Sequence, residues 1–248
     1  MYGTFAQVYD RLMRDVDYDA WAAHYRRLLA MAGVGDGARV VEAACGTGNL
    51  TVRLARHYEV SPRDLSGEML SVAMGKARAA GLSLAFVRED MRAISAPRPA
   101  DAVVCGCDAV NYLLSKGDLE RFARSARAAL RPGGALAFDV SSMAKLSGTL
   151  GNTTQFLTED DVCYIWQNWW DARGRKLRMQ VSAFAKRPDG CWDRVDEEQV
   201  QRAWEAEEIA DALRAQGFAR VRAFGGFGLR PPGANAQRLH FLAVRPES

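Results

Sequence analysis

Several chemistries are excluded by what this sequence has little of. Histidine is scarce and scattered: His24, His57 and His240 have no zinc-type spacing. The five cysteines (Cys45, Cys105, Cys107, Cys163, Cys191) contain no Cys-x-x-Cys pair, and an odd count without a framework argues for a reducing compartment rather than disulfides. Charge of one sign is missing too. With 33 basic and 30 acidic residues the formal net charge is +3, and no basic run carries interleaved aromatics, so nucleic acid is not an expected partner. The arginines at 121, 124 and 127 recur every third residue, as on a solvated helix face rather than a phosphate stripe. No apolar run reaches membrane length and no secretory leader pattern is read, so a cytoplasmic location is expected. No Gly-Lys-Ser/Thr loop is present; Gly75-Lys76 falls inside a helical stretch.

What is present is organised around Arg39–Thr51. The apolar residues Val40, Val41, Ala43 and Ala44 predict a strand. It runs into the small-residue turn Cys45-Gly46-Thr47-Gly48, and Leu50, Val52, Leu54 and Ala55 then read as a helix. Glycines there let the chain turn sharply and let a ligand approach the main chain, while the helix start offers unpaired N–H groups. A dinucleotide site wants Gly-x-Gly-x-x-Gly, and Gly46-Thr47-Gly48-Asn49-Leu50-Thr51 lacks its third glycine.

At 248 residues, one α/β domain with an insertion suits the length better than two domains. Residues 1–32 read as two helices joined near Asp15–Asp19, placed to act as a lid (1–36). From Ala38 onward strand and helix signals alternate, implying a parallel sheet with helices on both faces. Asp64 ends the second strand, where a carboxylate can accept from ribose hydroxyls. Pro62 and Arg63 are awkward there, so that strand is expected to be short, bulged or shifted. Ser66 caps the next helix. The third strand, Leu84–Val87, leads to Asp90 and Met91. Asp90 either accepts from an adenine amino group beside an apolar Met91 or merely caps a turn. The fourth, Asp101–Gly106, leads to Cys107, Asp108, Asn111 and Tyr112, all placed at the crevice end. A helix follows over about Asp118–Leu130, then a fifth strand, Ala135–Val140. Between Ser141 and Trp204 the pattern turns antiparallel: Leu177, Met179, Val181 and Ala183 alternate with Arg178, Gln180, Ser182 and Phe184. The tryptophans Trp166, Trp169, Trp170 and Trp192 fall in this insertion, either as its core or as an aromatic wall for a cationic or flat substrate. A helix and two strands close the chain.

The run Glu42-Ala43-Ala44-Cys45-Gly46-Thr47-Gly48 resembles motif I of class I S-adenosylmethionine methyltransferases, with Ala44 where that family usually has its first glycine. Asp64-Leu65-Ser66 through Met69-Leu70 resembles the family's second motif. With Phe5–Asp10, Asp17-Tyr18, Trp21, Asp90-Met91, Asp108, Asn111–Leu113 and Arg194–Glu198, the resemblance spans nearly the whole chain. It points to the bacterial branch that includes uncharacterised Firmicute enzymes and is similar to aminosugar N,N-dimethyltransferases. The family's usual His after Glu198 is Gln199 here. The Asn/Asp-Pro-Pro-Tyr signature of DNA-base and glutamine methyltransferases is absent.

The resemblance implies an α/β Rossmann-like fold, with a cofactor domain of 1–140 and 205–248 and a substrate cover of 141–204. It implies S-adenosylmethionine as cofactor, held by Tyr18, Trp21, Glu42, Ala44, Cys45, Gly46, Thr47, Gly48, Asp64, Leu65, Met69, Asp90, Met91, Cys107 and Asp108. Tyr9, Asn111 and Tyr112 are expected at the reacting centre, Trp166, Asn168, Gln199 and Arg202 at the substrate, and no metal. The acceptor is expected to be a small molecule, with an amine nitrogen favoured, and a homodimer is left open. The alternatives are a non-catalytic module binding the same cofactor, a partner subunit of another methyltransferase, or the same fold on a nicotinamide cofactor.

Overall fold

A computed structural model describes residues 5–247. Its main sheet takes strands in the order β10-β11-β5-β4-β1-β2-β3, comprising β1 (Arg39–Ala43), β2 (Glu59–Asp64), β3 (Val87–Arg88), β4 (Ala100–Cys105), β5 (Leu130–Ser141), β10 (Ala219–Gly225) and β11 (Arg238–Val244). Only β11 runs against its neighbours, pairing antiparallel with both β5 and β10. The central strands are apolar on both faces because both are covered. On one face α2 (Tyr18–Met31) packs Tyr25, Leu28 and Leu29 against Val40, Val104 and Phe224. On the other, α5 (Lys116–Ala129) presents Leu119, Phe122, Ala123 and Ala126, a helical stripe, to Phe138, Phe241 and Leu213 of α6 (Ala206–Ala215). Of the three arginines of α5, Arg121 and Arg124 lie exposed on its outer side, where Arg121 pairs with Asp118 and Arg124 meets Gln216, while Arg127 is half-buried beside Gly217.

The second strand departs from expectation. β2 keeps continuous register with β1 from Arg39–Glu59 to Ala43–Arg63, neither shortened nor bulged. Pro62 is tolerated because alternate residues address alternate sides. Glu59 N–H and Arg63 C=O bond toward β1, so position 62 faces β3, whose ladder begins only at Arg63. The Arg63 guanidinium is buried but meets Glu89 at 2.8 Å, so its charge is answered. The third strand is a two-residue stub, and β5 starts five residues earlier than its apolar run suggests, taking in Arg131–Gly134.

Residues 154–202 build a separate antiparallel sheet, β6 (Thr154–Thr158), β7 (Val162–Asp171), β8 (Lys176–Lys186) and β9 (Trp192–Arg202). Along β8 the buried residues are Leu177, Met179, Val181, Ala183 and Ala185, the period-2 pattern of a half-covered sheet. That inner face receives Phe5 and Val8 of α1 (Phe5–Leu12) near one end, and Leu146 near the other. Trp169 and Trp192 are exposed on this sheet, and Trp170 packs near Leu146; only Trp166 of the four tryptophans faces the space left between the two sheets. No helix among the described residues is long and apolar enough to cross a membrane.

Candidate active site

The glycine turn after β1 explains itself through its backbone angles. Ala44, Gly46 and Gly48 all lie in the left-handed region, with φ of 54°, 54° and 77°. The every-second-residue glycine spacing is therefore a demand for positive φ at three alternate positions, the first of which is met here by alanine at a steric cost. Gly48 is needed for a second reason: a Cβ there would stand 2.9 Å from Cβ of Ala73, on the helix α4 (Gly67–Ala79) behind the turn.

The turn is moored from three sides. Cys45 N–H donates to Arg63 C=O at 2.9 Å, and Gly46 N–H donates to Asp64 Oδ2 at 2.8 Å. The other Asp64 oxygen accepts from Ser66 N–H at 2.9 Å, so one carboxylate fixes both loops that a ribose would touch. From above, Asp10 of α1 accepts from Thr47 Oγ1 and Asn49 Nδ2, each at 2.7 Å, and from Lys76 Nζ of α4 at 2.7 Å. The sequence reading counted Asp10 only as part of the resembling Phe5–Asp10 segment and gave it no role in the site, because its partners lie on two remote segments, the glycine turn and α4.

Beneath the turn Glu42 is fully buried, and its Oε2 has no hydrogen-bond partner. Burial, reinforced by the nearby Asp64 charge, pushes its carboxyl up to about 8. At the end of β4 the chain again takes positive φ at two successive non-glycine residues, Cys107 (58°) and Asp108 (54°), a strained corner of the kind found at ligand sites. Asp139 holds that corner: it accepts from Asp108 N–H at 2.9 Å and from Tyr25 Oη at 2.8 Å, and it is ion-paired with Arg238. Arg238 also reaches Asp108 at 3.2 Å, and Gln201 of β9 donates to Asp108 Oδ2 at 2.8 Å. Arg238 and Gln201 are likewise absent from the sequence assignment, since they arrive from strands remote in the chain.

Between the main sheet's crevice and the insertion lies a cavity of about 750 Å³. Tyr9, Tyr18 and Trp21 line it from the amino-terminal helices, and Glu42, Ala44, Cys45, Gly46 and Thr47 from the turn. Asp64, Leu65, Met69, Asp90 and Met91 follow along one edge, and Cys107, Asp108 and Tyr112 along the other. Trp166 and Gln199 come from the insertion, with Tyr112 Oη donating to Gln199 Oε1 at 2.6 Å. Gly48 stands behind the wall. Burial pushes the phenols of Tyr9 and Tyr18 up, the latter to about 12, so both are hydrogen-bond donors rather than bases at neutral pH.

Besides Gly48, three assigned residues do not line the cavity. Asn111 is fully buried, donating to Ser141 C=O (3.0 Å) and Arg202 C=O (2.8 Å) and accepting from Ser141 N–H (2.8 Å); it bridges β5 to β9 instead of facing a substrate. Asn168 is turned into the insertion's edge, donating to Thr153 Oγ1. Arg202 lies 3.9 Å over the Trp204 ring and donates to Leu114 C=O. Asp90 lines the cavity, but its carboxylate caps the next turn through Arg92 N–H at 2.8 Å and pairs with the Arg92 guanidinium at 2.6 Å. No cluster of three or more metal-ligating side chains occurs among the described residues.

Comparison with known proteins decides the family. A profile described as a methyltransferase domain matches residues 40–134. A Bacillus subtilis protein named "Putative methyltransferase YqeM" is 34% identical over 100% of this chain and 98% of its own length. The chain belongs to the S-adenosylmethionine-dependent methyltransferases. The solved structure of such an enzyme from Clostridium acetobutylicum superposes with a TM-score of 0.88 at 30% identity, covering 98% of each chain. The sugar N-methyltransferase KedS8 from Streptoalloteichus shares the fold, with a TM-score of 0.79 at 22% identity over 100% of this chain and 94% of its own.

S-adenosylmethionine is thus the cofactor of this methyltransferase, and the residues present fit it. The left-handed turn brings Gly46 to the cavity wall with open space where a Cβ would stand, so a ligand can lie against the main chain, and Glu42 Oε2 is a buried acceptor in want of a donor such as the cofactor's ammonium.

Proposed function

We propose that the enzyme methylates a small molecule at an amine nitrogen. The observation that carries the reading is the wall of the cavity: Tyr9, Tyr18, Tyr112 and Trp166 put aromatic surface around a space of about 750 Å³ beside the insertion. A volume of that order suits a metabolite rather than a macromolecule, and aromatic faces attract a cation such as a protonated amine. The fold shared with a sugar N-methyltransferase is compatible with it. The free thiols of all five cysteines support a cytoplasmic setting.

The cofactor, when bound, supplies an electrophilic methyl group on a sulfonium. The protein's own task is to align donor and acceptor in a dry space, which accounts for most of the acceleration in such a displacement. In this reading Asp64 holds the ribose with the lone pairs left after Gly46 and Ser66, and Glu42 holds the ammonium of the methionine part. Met91 covers the adenine, and Asp90 meets it only through an oxygen that Arg92 leaves free. Asp10 keeps α1, and with it Tyr9, closed over the turn. Tyr9 then donates toward the acceptor's polar atoms, while Tyr112, whose O–H is given to Gln199, offers its oxygen as an acceptor.

Calorimetric titration with S-adenosylmethionine, S-adenosylhomocysteine and NADH, followed by a screen of amine, hydroxyl and carboxylate acceptors, tests this. Micromolar binding of the two adenosyl compounds with turnover on amines alone is the expected result. Turnover confined to hydroxyl or carboxylate acceptors overturns the nitrogen assignment.

A further inference from the structure

The cavity's charged groups can be sorted by whether anything already answers them. Asp64 is taken up by two main-chain N–H groups, Glu89 by Arg63 and Ser95, Asp90 by Arg92, and Asp108 by Arg238 and Gln201. Burial, and then the Arg238 charge, push the pKa of Lys145 down against the weaker pull of Asp108 and Asp139, so on its π-helical turn over Ala144–Thr149 this cavity-lining amine is disfavoured as a cation. Glu197 is different. It lines the cavity from β9, its hydrogen bond comes from the neutral amide of Gln199, and the charge that faces it is another carboxylate, Glu68 on the first turn of α4. A cavity-lining carboxylate that has no ion pair, and feels the repulsion of a second acid, is relieved by a positive guest.

The register of the insertion shows what such a guest would meet. Glu197 stands opposite Val181 on β8, and Val181 opposite Trp166 on β7. All three side chains line the cavity, so a carboxylate, an aliphatic step and an indole run in one row across the sheet. With strands about 4.8 Å apart the row spans roughly 10 Å, enough for an ammonium at the acid and a ring or methyl-bearing carbon against the indole. The flanking acids do not share this position: Asp196 points to the other face and is paired with Arg194.

We propose that Glu197 is the residue that selects the acceptor by charge: the acceptor enters as a cation, its ammonium is held by the Glu197 carboxylate with Trp166 across the row, and it passes a proton to that carboxylate to free the nitrogen lone pair for the methyl group. This rests on the amine reading above. It assigns Glu197 a binding role for which Gln199, standing where the family usually has His, provides only a neutral amide.

The test uses the protein saturated with S-adenosylhomocysteine and titrated with benzyltrimethylammonium, with benzoate as the anionic control. The wild type is expected to bind the cation and not benzoate. Glu197→Gln should lose about tenfold or more of the cation's affinity, Glu68→Gln roughly twofold to threefold, and both should bind S-adenosylhomocysteine within about twofold of wild type, which certifies their folding. Equal cation binding by wild type and Glu197→Gln overturns the role of Glu197 while leaving amine methylation standing. Absence of cation binding overturns it as well, and binding of benzoate in its place removes the amine reading too.

Discussion

On the main-sheet side of the cavity the polar groups are largely spoken for before any ligand arrives, whereas on the insertion side they are not. Asp64, Asp108 and Asp139 each accept two or more hydrogen bonds from loops and strands that they hold in place. The insertion presents Trp166, Val181 and Met179 with Glu197 and Gln199 among them, a surface whose single acid has no cation beside it. The first wall is organised to keep a strained backbone in one shape, with positive φ at Ala44, Cys107 and Asp108. The second is a regular sheet that needs no such help and can vary its side chains without moving its backbone. A shared cofactor and a particular acceptor make those different demands.

The sharpest way to break the contrast is to remove Arg238. It is the cation for Asp139, which is wholly buried, and for Asp108. Arg238→Met should cost about 3–5 kcal/mol of unfolding free energy, because a buried carboxylate is left without its partner. Urea denaturation measures it, and a loss under 1 kcal/mol would mean that the corner does not depend on this pair. Glu197→Gln, on the insertion wall, should not approach that figure.

Glu42 is the exception on the organised wall, a buried acid whose Oε2 has no hydrogen-bond partner. Its folded value of about 8 lies above the ordinary 4.5, so the folded protein keeps a proton that the unfolded chain gives up. Its stabilising contribution is complete below pH 4.5 and is lost as pH rises through 8. Ligand-free wild type should therefore fall relative to Glu42→Gln by about 2–4 kcal/mol between pH 4.5 and pH 8. The buried histidines His24 and His240, held down to about 3 and 4, titrate with the opposite sign at lower pH in both proteins and cancel in the difference. Parallel stability curves for the two proteins would refute the buried-acid assignment. The same substitution should weaken S-adenosylmethionine binding.

How much of this was legible in the sequence follows from how local each requirement is. The glycine turn could be read because positive φ is a property of single residues, and the alternation of β8 because its burial repeats every second residue. Asp10 could not: its bonds to Thr47, Asn49 and Lys76 span 37, 39 and 66 residues. Asn111 shows the converse error. A polar residue after a strand end looks like a ligand contact, yet closing the gap between β5 and β9 calls for the same side chain, and only the partners' positions separate the two uses. Arg63 misled for a similar reason, since its cost in a strand is real until Glu89 is seen 2.8 Å away.

The smallest effect tests the strain itself. Ala44 holds φ of 54° where glycine would sit without steric cost. Ala44→Gly removes the Cβ conflict in the folded state but gives the unfolded chain more freedom, and the two terms oppose each other. The left-handed penalty is about 1–2 kcal/mol and the entropy term about 0.5–1 kcal/mol, so the net should be a gain of about 0.5–1 kcal/mol in ligand-free stability. Placing alanine in Gly48's position instead adds a contact 2.9 Å from Ala73 Cβ to the same backbone conflict, so Gly48→Ala should destabilise while Ala44→Gly stabilises. Thermal melts of the two variants read the opposite signs directly. A loss of stability in Ala44→Gly would show that its alanine methyl packs well enough against the core beneath α5 to outweigh the strain, and that the turn's first position is set by packing rather than by backbone angle.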